Sequence, residues 1–581
     1  MPDPQSQFAD AVALHQAGEL AAAEPVYRRV LESVPHHLDA MYLLGTLQLQ
    51  RGEFAAAVEL LSQVCSAQPD VAAAHNNLGI AYKAQGQLDR ATRCFQRAIR
   101  RDANYAEAYF NLGQLCEERQ QWAEAEDCFN KLIALTPDDV DAQVRLAYAL
   151  TQQDKWEQAT AVYETIAERQ PDFAEIYGNL SFLYERQGRI AEAVAAAEKC
   201  VTLRPDHAEG HNNLGNALRS LHDLDAACAA LERAITIRPE FPLATFNLAT
   251  TRMLGGELAG GWAGFEAREA IMPTPPPSFL QPRWRGESLA GKTLLVHADE
   301  GFGDTLQFAR FLPAAQQASG ARMILRCQRG LCELLRSVAG AEQVVADGEF
   351  VPSCDAHIPL LSLPGLLGVT YQTLPCDVPY LRADDGKPYD DFIDINALNV
   401  GIVWQGNPAQ PRDFARSCPL AEFAPLAGIP GVRLISLQVG AAGRQQLADA
   451  EFREKVIDAA DALTDFSQTA ALVGRLDLVI TVDTAVAHLA GALGAPVWTL
   501  LSHTPDWRWL LERSDSPWYP TMRLFRQPAW GDWRSVMEDV AAALRQVVKQ
   551  RVGTTPSDAG AGQLCGALPT DRDRAGPAGG F

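Results

Sequence analysis

No run of apolar residues approaches the roughly 20 that a helix needs to cross a bilayer, so no membrane-spanning segment is expected. Basic residues are in short supply: 50 Lys and Arg stand against 72 Asp and Glu, a net charge of −22. A nucleic-acid binder presents a basic face, so that class is not expected, although a local group of arginines can still hold an anion. The twelve cysteines are scattered, and the close pair Cys327 and Cys332 has neither redox nor zinc spacing. Reduced thiols in a cytoplasmic protein are the simplest expectation. The opening MPDPQSQFADAV lacks a basic stretch followed by an apolar one, so no secretory leader is expected. Asp-x-Asp pairs, the usual holders of a metal beside a diphosphate, fall at Asp139–Asp141, Asp223–Asp225 and Asp571–Asp573, none at the end of a strand. No metal or cofactor is therefore expected. What the chain does have is apolar content, 47% of 581 residues, enough for two or three cores.

The first half repeats. Prolines recur at Pro35, Pro69, Pro137, Pro171, Pro205 and Pro239, in steps of 34 with Ala103 filling the one gap. With these as position 32 of a unit, position 8 is small: Ala11, Gly45, Gly79, Gly113, Ala147, Ser181 and Gly215. Position 20 is alanine in all seven units, and position 24 is mostly large: Tyr27, Leu61, Phe95, Phe129, Tyr163, Ala197 and Leu231. This is the tetratricopeptide (TPR) pattern, a helix, a turn and a second helix per unit. Small residues let the two helices approach, the large residue fills the space between them, and proline ends the second helix. Position 6 is Asn77, Asn111, Asn179, Asn213 and Asn247, interrupted by Leu43 and Arg145. Such amides either form a ladder that hydrogen-bonds the backbone of an extended peptide or are satisfied by their own neighbours.

The rhythm changes after the proline-rich stretch 272–282. Short apolar runs at 293–298, 322–327, 343–347, 356–360, 399–404, 433–438, 476–483 and 496–501 alternate with helical segments. Unalternating strands between helices predict parallel sheets covered on both faces. The expected layout is seven repeats over 4–241, a degenerate capping repeat over 242–271, a linker over 272–288, a first lobe over 289–385, a second over 398–550 and a disordered tail over 551–581. The fold class is thus an α-solenoid followed by two Rossmann-like α/β lobes, with a hinge near 383–398.

Two strand-to-helix corners carry chemistry, because parallel sheets bind ligands at the carboxyl ends of their strands. In HADEGFGDTLQF, Gly301 and Gly303 shape a turn that Asp304 follows. That carboxylate either takes a proton from an attacking hydroxyl or simply caps its helix. In LVITVDTAVAHLAG, the strand ends at Asp483, Thr484 opens a helix and His488 lies one turn in, where free N–H groups favour phosphate. The loop 404–417 supplies Arg412 and Arg416, which either neutralise a diphosphate or only solvate the loop.

Together the corners resemble the heptosyltransferase-like (family 9) glycosyltransferases. Asp483, Thr484, Ala485 and His488 match that family's Asp-Thr-Gly-x-x-His motif except at the glycine. The resemblance implies a GT-B arrangement in which Asp304 is the general base. Gly301, Gly303, Arg416, Asp483, Thr484, Ala485 and His488 would hold the donor diphosphate. Trp404, Gln438 and Asp465 are candidates for the nucleoside pocket. A TPR array fused to such a domain is also similar in layout to the O-GlcNAc transferases, whose asparagine ladders hold protein acceptors. The resemblance thus implies an inverting, metal-independent transfer from a nucleotide-sugar to a protein or peptide held by the repeats. Two other readings are a scaffold with an inactive transferase half and an enzyme acting on a glycan.

Overall fold

The computed structural model describes residues 3–272, 277, 279–384, 389–408, 410 and 413–553. The tail expected from 551 therefore lies outside the described residues from 554 on, as do Arg412, part of the linker and part of the hinge. Two compact units divide the chain, Met1–Pro205 and Asp206–Phe581.

The first unit is a row of helical hairpins. They are Pro4–Gln16 with Leu20–Ser33, Leu38–Gln50 with Phe54–Ala67, Ala72–Ala84 with Leu88–Arg101, Ala106–Glu118 with Trp122–Leu135, Val140–Thr151 with Trp156–Arg169, and Ala174–Arg186 with Ile190–Leu203. The reason lies in the repeat chemistry. A Cβ added to Gly79 would stand 2.6 Å from the Phe95 ring, and one added to Gly113 would stand 2.7 Å from the Phe129 ring. Position 8 is small because position 24 packs directly on its backbone. The position-20 alanines Ala23, Ala57, Ala91, Ala125, Ala159 and Ala193 are all wholly buried. Each hairpin turns through a left-handed residue, Gly18, Gly52, Gly86, Gln120, Asp154 and Gly188, with φ between 56° and 77°. Glycine suits that backbone; at Gln120 and Asp154 it is held by a side chain that rarely adopts it.

The second unit opens with two more hairpins, Ala208–Ser220 with Leu224–Ile237 and Pro242–Leu254 with Leu258–Phe265, then the short helix Arg268–Ile271. The degenerate last hairpin keeps the pattern in altered form: Gly261 replaces the alanine of position 20, because its backbone packs on Met253. Its residues do not stop at a linker. Met253, Leu258, Trp262 and Phe265 share one core with Trp284, Phe308, Trp507 and Trp518 of the sheets' surroundings.

Two sheets follow, both wholly parallel. The first, in spatial order β3-β2-β1-β4, comprises β1 (Thr293–His297), β2 (Arg322–Cys327), β3 (Gln343–Ala346) and β4 (Ala356–Pro359). The second runs β10-β9-β8-β5-β6-β7. Its strands are β5 (Leu398–Val403), β6 (Val432–Ser436), β7 (Val456–Asp458), β8 (Leu478–Val482), β9 (Val497–Leu501) and β10 (Met522–Arg526). Eight strands lie where apolar runs predicted them. β7 and β10 were not expected: one is three residues long, and the other, MRLFR, interleaves charge with apolar residues. Both are edge strands, which bury less and so read less clearly. One face of the second sheet is covered by helix Trp533–Gly553, through Trp533, Val536, Val540 and Leu544.

Candidate functional site

The two corners meet. Gly303, in helix Phe302–Phe308 after β1, lies against helix Ala485–Ala492 after β8. A Cβ at Gly303 would stand 2.9 Å from His488 Cδ2 and 3.4 Å from Ala485 Cα. One residue earlier, Phe302 stacks on Phe466 at 5.2 Å.

Three acids occupy the first corner. Asp299, buried, takes two bonds from the buried Arg268 guanidinium, at 2.7 and 3.1 Å. Asp304 accepts from the Gly301 N–H at 3.1 Å with one oxygen and from Arg508 Nη2 with the other. Glu300, between them, is half-buried and its carboxyl has no ion pair or hydrogen bond among the described residues. Burial, with Asp304 and Asp299 close by, raises its pKa to about 7. The turn is braced from β2 by Gln328, which donates to the Glu300 carbonyl at 2.7 Å and accepts from Thr305 at 3.0 Å.

At the second corner the Thr484 hydroxyl shares a hydrogen bond with Thr481 at 3.0 Å, and Thr484 is the N-cap residue of its helix. Burial and the Asp506 carboxylate raise Asp483 to about 6. His488 is buried, stacked on Trp509 at 5.4 Å and bonded through Nδ1 to the Tyr519 hydroxyl at 3.0 Å. Burial and the charges of Arg508, Arg310 and Arg416 push its pKa well below the ordinary value. The ring is therefore neutral. The Cδ2–Nε2 edge of the ring faces Gly303.

Arg508 ties the corners together. Besides Asp304 it binds Asp506 at 2.8 Å and the Gln307 side chain at 2.5 Å. Arg416 lies over Gly406, where a Cβ would stand 2.9 Å from its guanidinium, and is oriented by Asp413 at 3.1 Å. Among the described residues Arg310, buried, donates only to carbonyls and to the Tyr380 hydroxyl, and it lies over the Tyr519 ring at 4.6 Å. Sequence reasoning missed Arg508, Arg310, Glu300 and Tyr519. Asp-Trp-Arg-Trp at 506–509 follows β9 at a strand's carboxyl end, and that position was the available signal.

The expected nucleoside-pocket residues are engaged otherwise. Trp404 is wholly buried in the second-sheet core and its indole N–H bonds Gln446 at 2.7 Å, so it offers no face to a ligand. The Gln438 side chain closes the loop after β5, accepting from the Trp404 and Gln405 N–H groups at 3.2 and 3.0 Å. Asp465 caps helix Phe466–Val473, accepting from Ser467 N and Gln468 N at 2.8 and 3.0 Å. The asparagine ladder is likewise taken up by neighbours. Asn77 donates to Thr46 at 3.1 Å, Asn111 to Asn76 at 2.9 Å and Asn247 to Asn212 at 2.9 Å. Asn179 lies near the Tyr163 hydroxyl, and Asn213 accepts from Asn212 at 3.5 Å. Each amide thus has a close neighbour, while Asn179 is exposed and Asn77, Asn111 and Asn213 are half-buried.

Tetratricopeptide-repeat profiles match residues 14–79, 76–140, 118–181 and 172–240. The profile of glycosyltransferase family 9 (heptosyltransferase) matches residues 440–531, which include Asp483, Thr484, His488 and Arg508. The chain carries a family 9 glycosyltransferase domain. The match to this transferase domain begins beyond Asp304 and Arg416. Protein FlbA of Caulobacter vibrioides is 27% identical over 332 residues, 52% of this chain and 54% of FlbA. The chain thus spans about half the length of that curated relative. Among solved structures, YrrB, described as a TPR protein with an unusual peptide-binding site, is 21% identical, covering 32% of this chain and 96% of its own, with a TM-score of 0.30. The C-terminal part of a TPR protein from Cytophaga hutchinsonii is 17% identical, covering 42% of this chain and 99% of its own, with a TM-score of 0.36.

Proposed function

We propose that the transferase domain moves a sugar from a nucleotide-diphosphate sugar to a hydroxyl of a protein or peptide acceptor, with inversion and without a metal, across the cleft of a GT-B arrangement. The observation that carries this reading is the contact of Gly303 with Ala485 and His488, which joins the carboxylates of one corner to the helix N-terminus and guanidinium groups of the other. The N–H groups that open helix Ala485–Ala492, the neutral His488 ring and Arg416 are suited to a diphosphate. Asp304, as general base, takes the acceptor's O–H proton while that oxygen attacks the anomeric carbon. The bond from that carbon to the diphosphate oxygen breaks, and the electron pair leaves onto the nucleoside diphosphate. Its new charge meets the helix N-terminus and Arg416, which stand where a metal would otherwise neutralise it. The repeats recruit the acceptor.

The test is release of nucleoside diphosphate from a panel of nucleotide-sugars by the full chain in EDTA. General-base catalysis is worth roughly 10²–10⁴-fold, so Asp304→Asn is expected to lower turnover by at least about 100-fold. Unchanged turnover in Asp304→Asn removes the proposed base, and turnover that appears only with Mg²⁺ removes the metal-free step.

A further inference from the structure

Helix Leu88–Arg101 is unlike the rest of its chain. It carries five arginines and one aspartate in a protein of net charge −22. Ala91, Cys94, Phe95 and Ala98 are buried on one side. Arg93, Arg97 and Arg100 stand on the other, at i, i+4 and i+7, within about 60° of arc. All three are exposed, and none makes an ion pair or hydrogen bond among the described residues. Their neighbours are occupied: Arg101 pairs with Asp70 at 2.9 Å, and Arg90 bonds Gln87 at 2.9 Å while lying over the Tyr82 ring. Like charges at this spacing weaken a helix, so the stripe is a cost that an outside anion would relieve.

The stripe ends at a recess of about 290 Å³ between this helix and the hairpin Ala106–Glu118 with Trp122–Leu135. Ile99, Tyr109, Leu112 and Cys128 line it, and Arg100 and Lys131 stand at its rim; Gln96 and Asp127 complete the wall. The recess is thus an open, largely apolar hollow with two cations and one carboxylate, Asp127, beside it. The position-6 asparagines, the surface where a peptide would first be sought, already bond their neighbours. We propose that the Arg93–Arg97–Arg100 face and this recess bind an acidic peptide segment carrying one aliphatic side chain. The rise is about 6 Å from Arg93 to Arg97 and about 4.5 Å from Arg97 to Arg100, against roughly 6.7 Å between alternate residues of an extended strand. Long arginine and glutamate side chains span that mismatch, so acids at every second position reach successive guanidiniums. The aliphatic residue two places after the last acid, whose side chain returns to the same face of the strand, enters the recess. A nucleic acid fits less well: the basic stripe lies on a single helix and one aromatic ring lines the recess.

This binding does not depend on the transfer reaction, and its test needs no sugar donor. Fluorescein-labelled Gly-Glu-Ser-Glu-Ser-Glu-Ser-Leu-Gly is titrated with the full chain by fluorescence anisotropy in 50 mM NaCl. The triple variant Arg93→Gln/Arg97→Gln/Arg100→Gln is expected to weaken binding at least tenfold with an unchanged far-UV spectrum. Replacing the peptide's leucine by serine, which leaves the protein untouched, is expected to weaken it about fivefold. The proposal is overturned if the triple variant binds within twofold of the wild type or if the serine peptide binds as well as the leucine peptide. It is also overturned if single-stranded oligouridine displaces the probe at a lower concentration than unlabelled peptide does.

Discussion

Gly303 lies against His488 so closely that a single methyl group at position 303 would stand 2.9 Å from the imidazole Cδ2. The two corners, nearly 190 residues apart in the chain, are held in contact by the absence of a side chain. The imidazole cannot yield easily, since Trp509 stacks on it and Tyr519 holds its Nδ1. Gly303→Ala is therefore expected to destabilise the protein by about 1–3 kcal/mol, the usual cost of overpacking a filled site. It should also impair donor binding more than a neutral surface change does. Denaturant unfolding and nucleotide titration of the variant check both.

Arg508 joins Asp304 to Asp506 while almost wholly buried. Removing one partner of a buried pair strands the other charge, and typically costs about 3–5 kcal/mol. Arg508→Met alone is expected to cost that much. Adding Asp304→Asn is expected to recover part of the loss, because the stranded carboxylate is gone. A double-mutant cycle on unfolding free energy measures the coupling; strict additivity would mean that the pair carries none.

The pH dependence has a definite sign. Folded Glu300 holds its proton up to about pH 7, against an ordinary carboxyl value of 4.5. A raised acid stabilises the fold below the ordinary value, and that contribution is lost as pH rises through about 7. Glu300→Gln is thus expected to raise the melting temperature more at pH 8.3 than at pH 5.8. Burial and Asp506 likewise keep Asp483 partly protonated near pH 6. Ionising both groups adds negative charge beside the proposed diphosphate site, so nucleotide binding is expected to weaken as pH rises from 6 to 8, and a flat binding profile would contradict these assignments.

Much of the fold was legible because it is written in repetition and in apolar runs. The 34-residue spacing specified the helical hairpins, and Gly79 against Phe95 shows the physical reason for it. Strands such as LVITV at 478–482, buried along their whole length, announce themselves; MRLFR at 522–526, with one arginine in and one at its end, does not. At the site, Asp304, Thr484 and His488 stood out in the sequence because each lies at or just past a turn after an apolar strand. Arg508 and Arg310 did not, because their meaning comes only from what the fold brings beside them. Trp404 misled for a related reason: an aromatic after a strand reads as a ligand platform or as core, and only packing decides.

Two glycines of one repeat separate packing from backbone. Gly79 faces Phe95 at 2.6 Å, whereas Gly86 has φ of 72° and open space around it. Gly79→Ala is expected to cost about 1–3 kcal/mol by overpacking and Gly86→Ala about 1 kcal/mol through the left-handed backbone. Thermal unfolding of the two variants ranks them, and the reverse order would undo the packing account of the repeat.

The central claim, that the helix at Ala485 receives a nucleoside diphosphate, is tested most directly by calorimetric titration of UDP, GDP, CDP, ADP and dTDP into the full chain in EDTA. One of these is expected to bind, and Arg416→Ala to weaken that binding by about tenfold, or roughly 1.4 kcal/mol. Saturation of the wild type at about 100 times the dissociation constant should raise stability by about 2.7 kcal/mol. No heat from any of the five, or binding that Arg416→Ala leaves unchanged, would contradict the account.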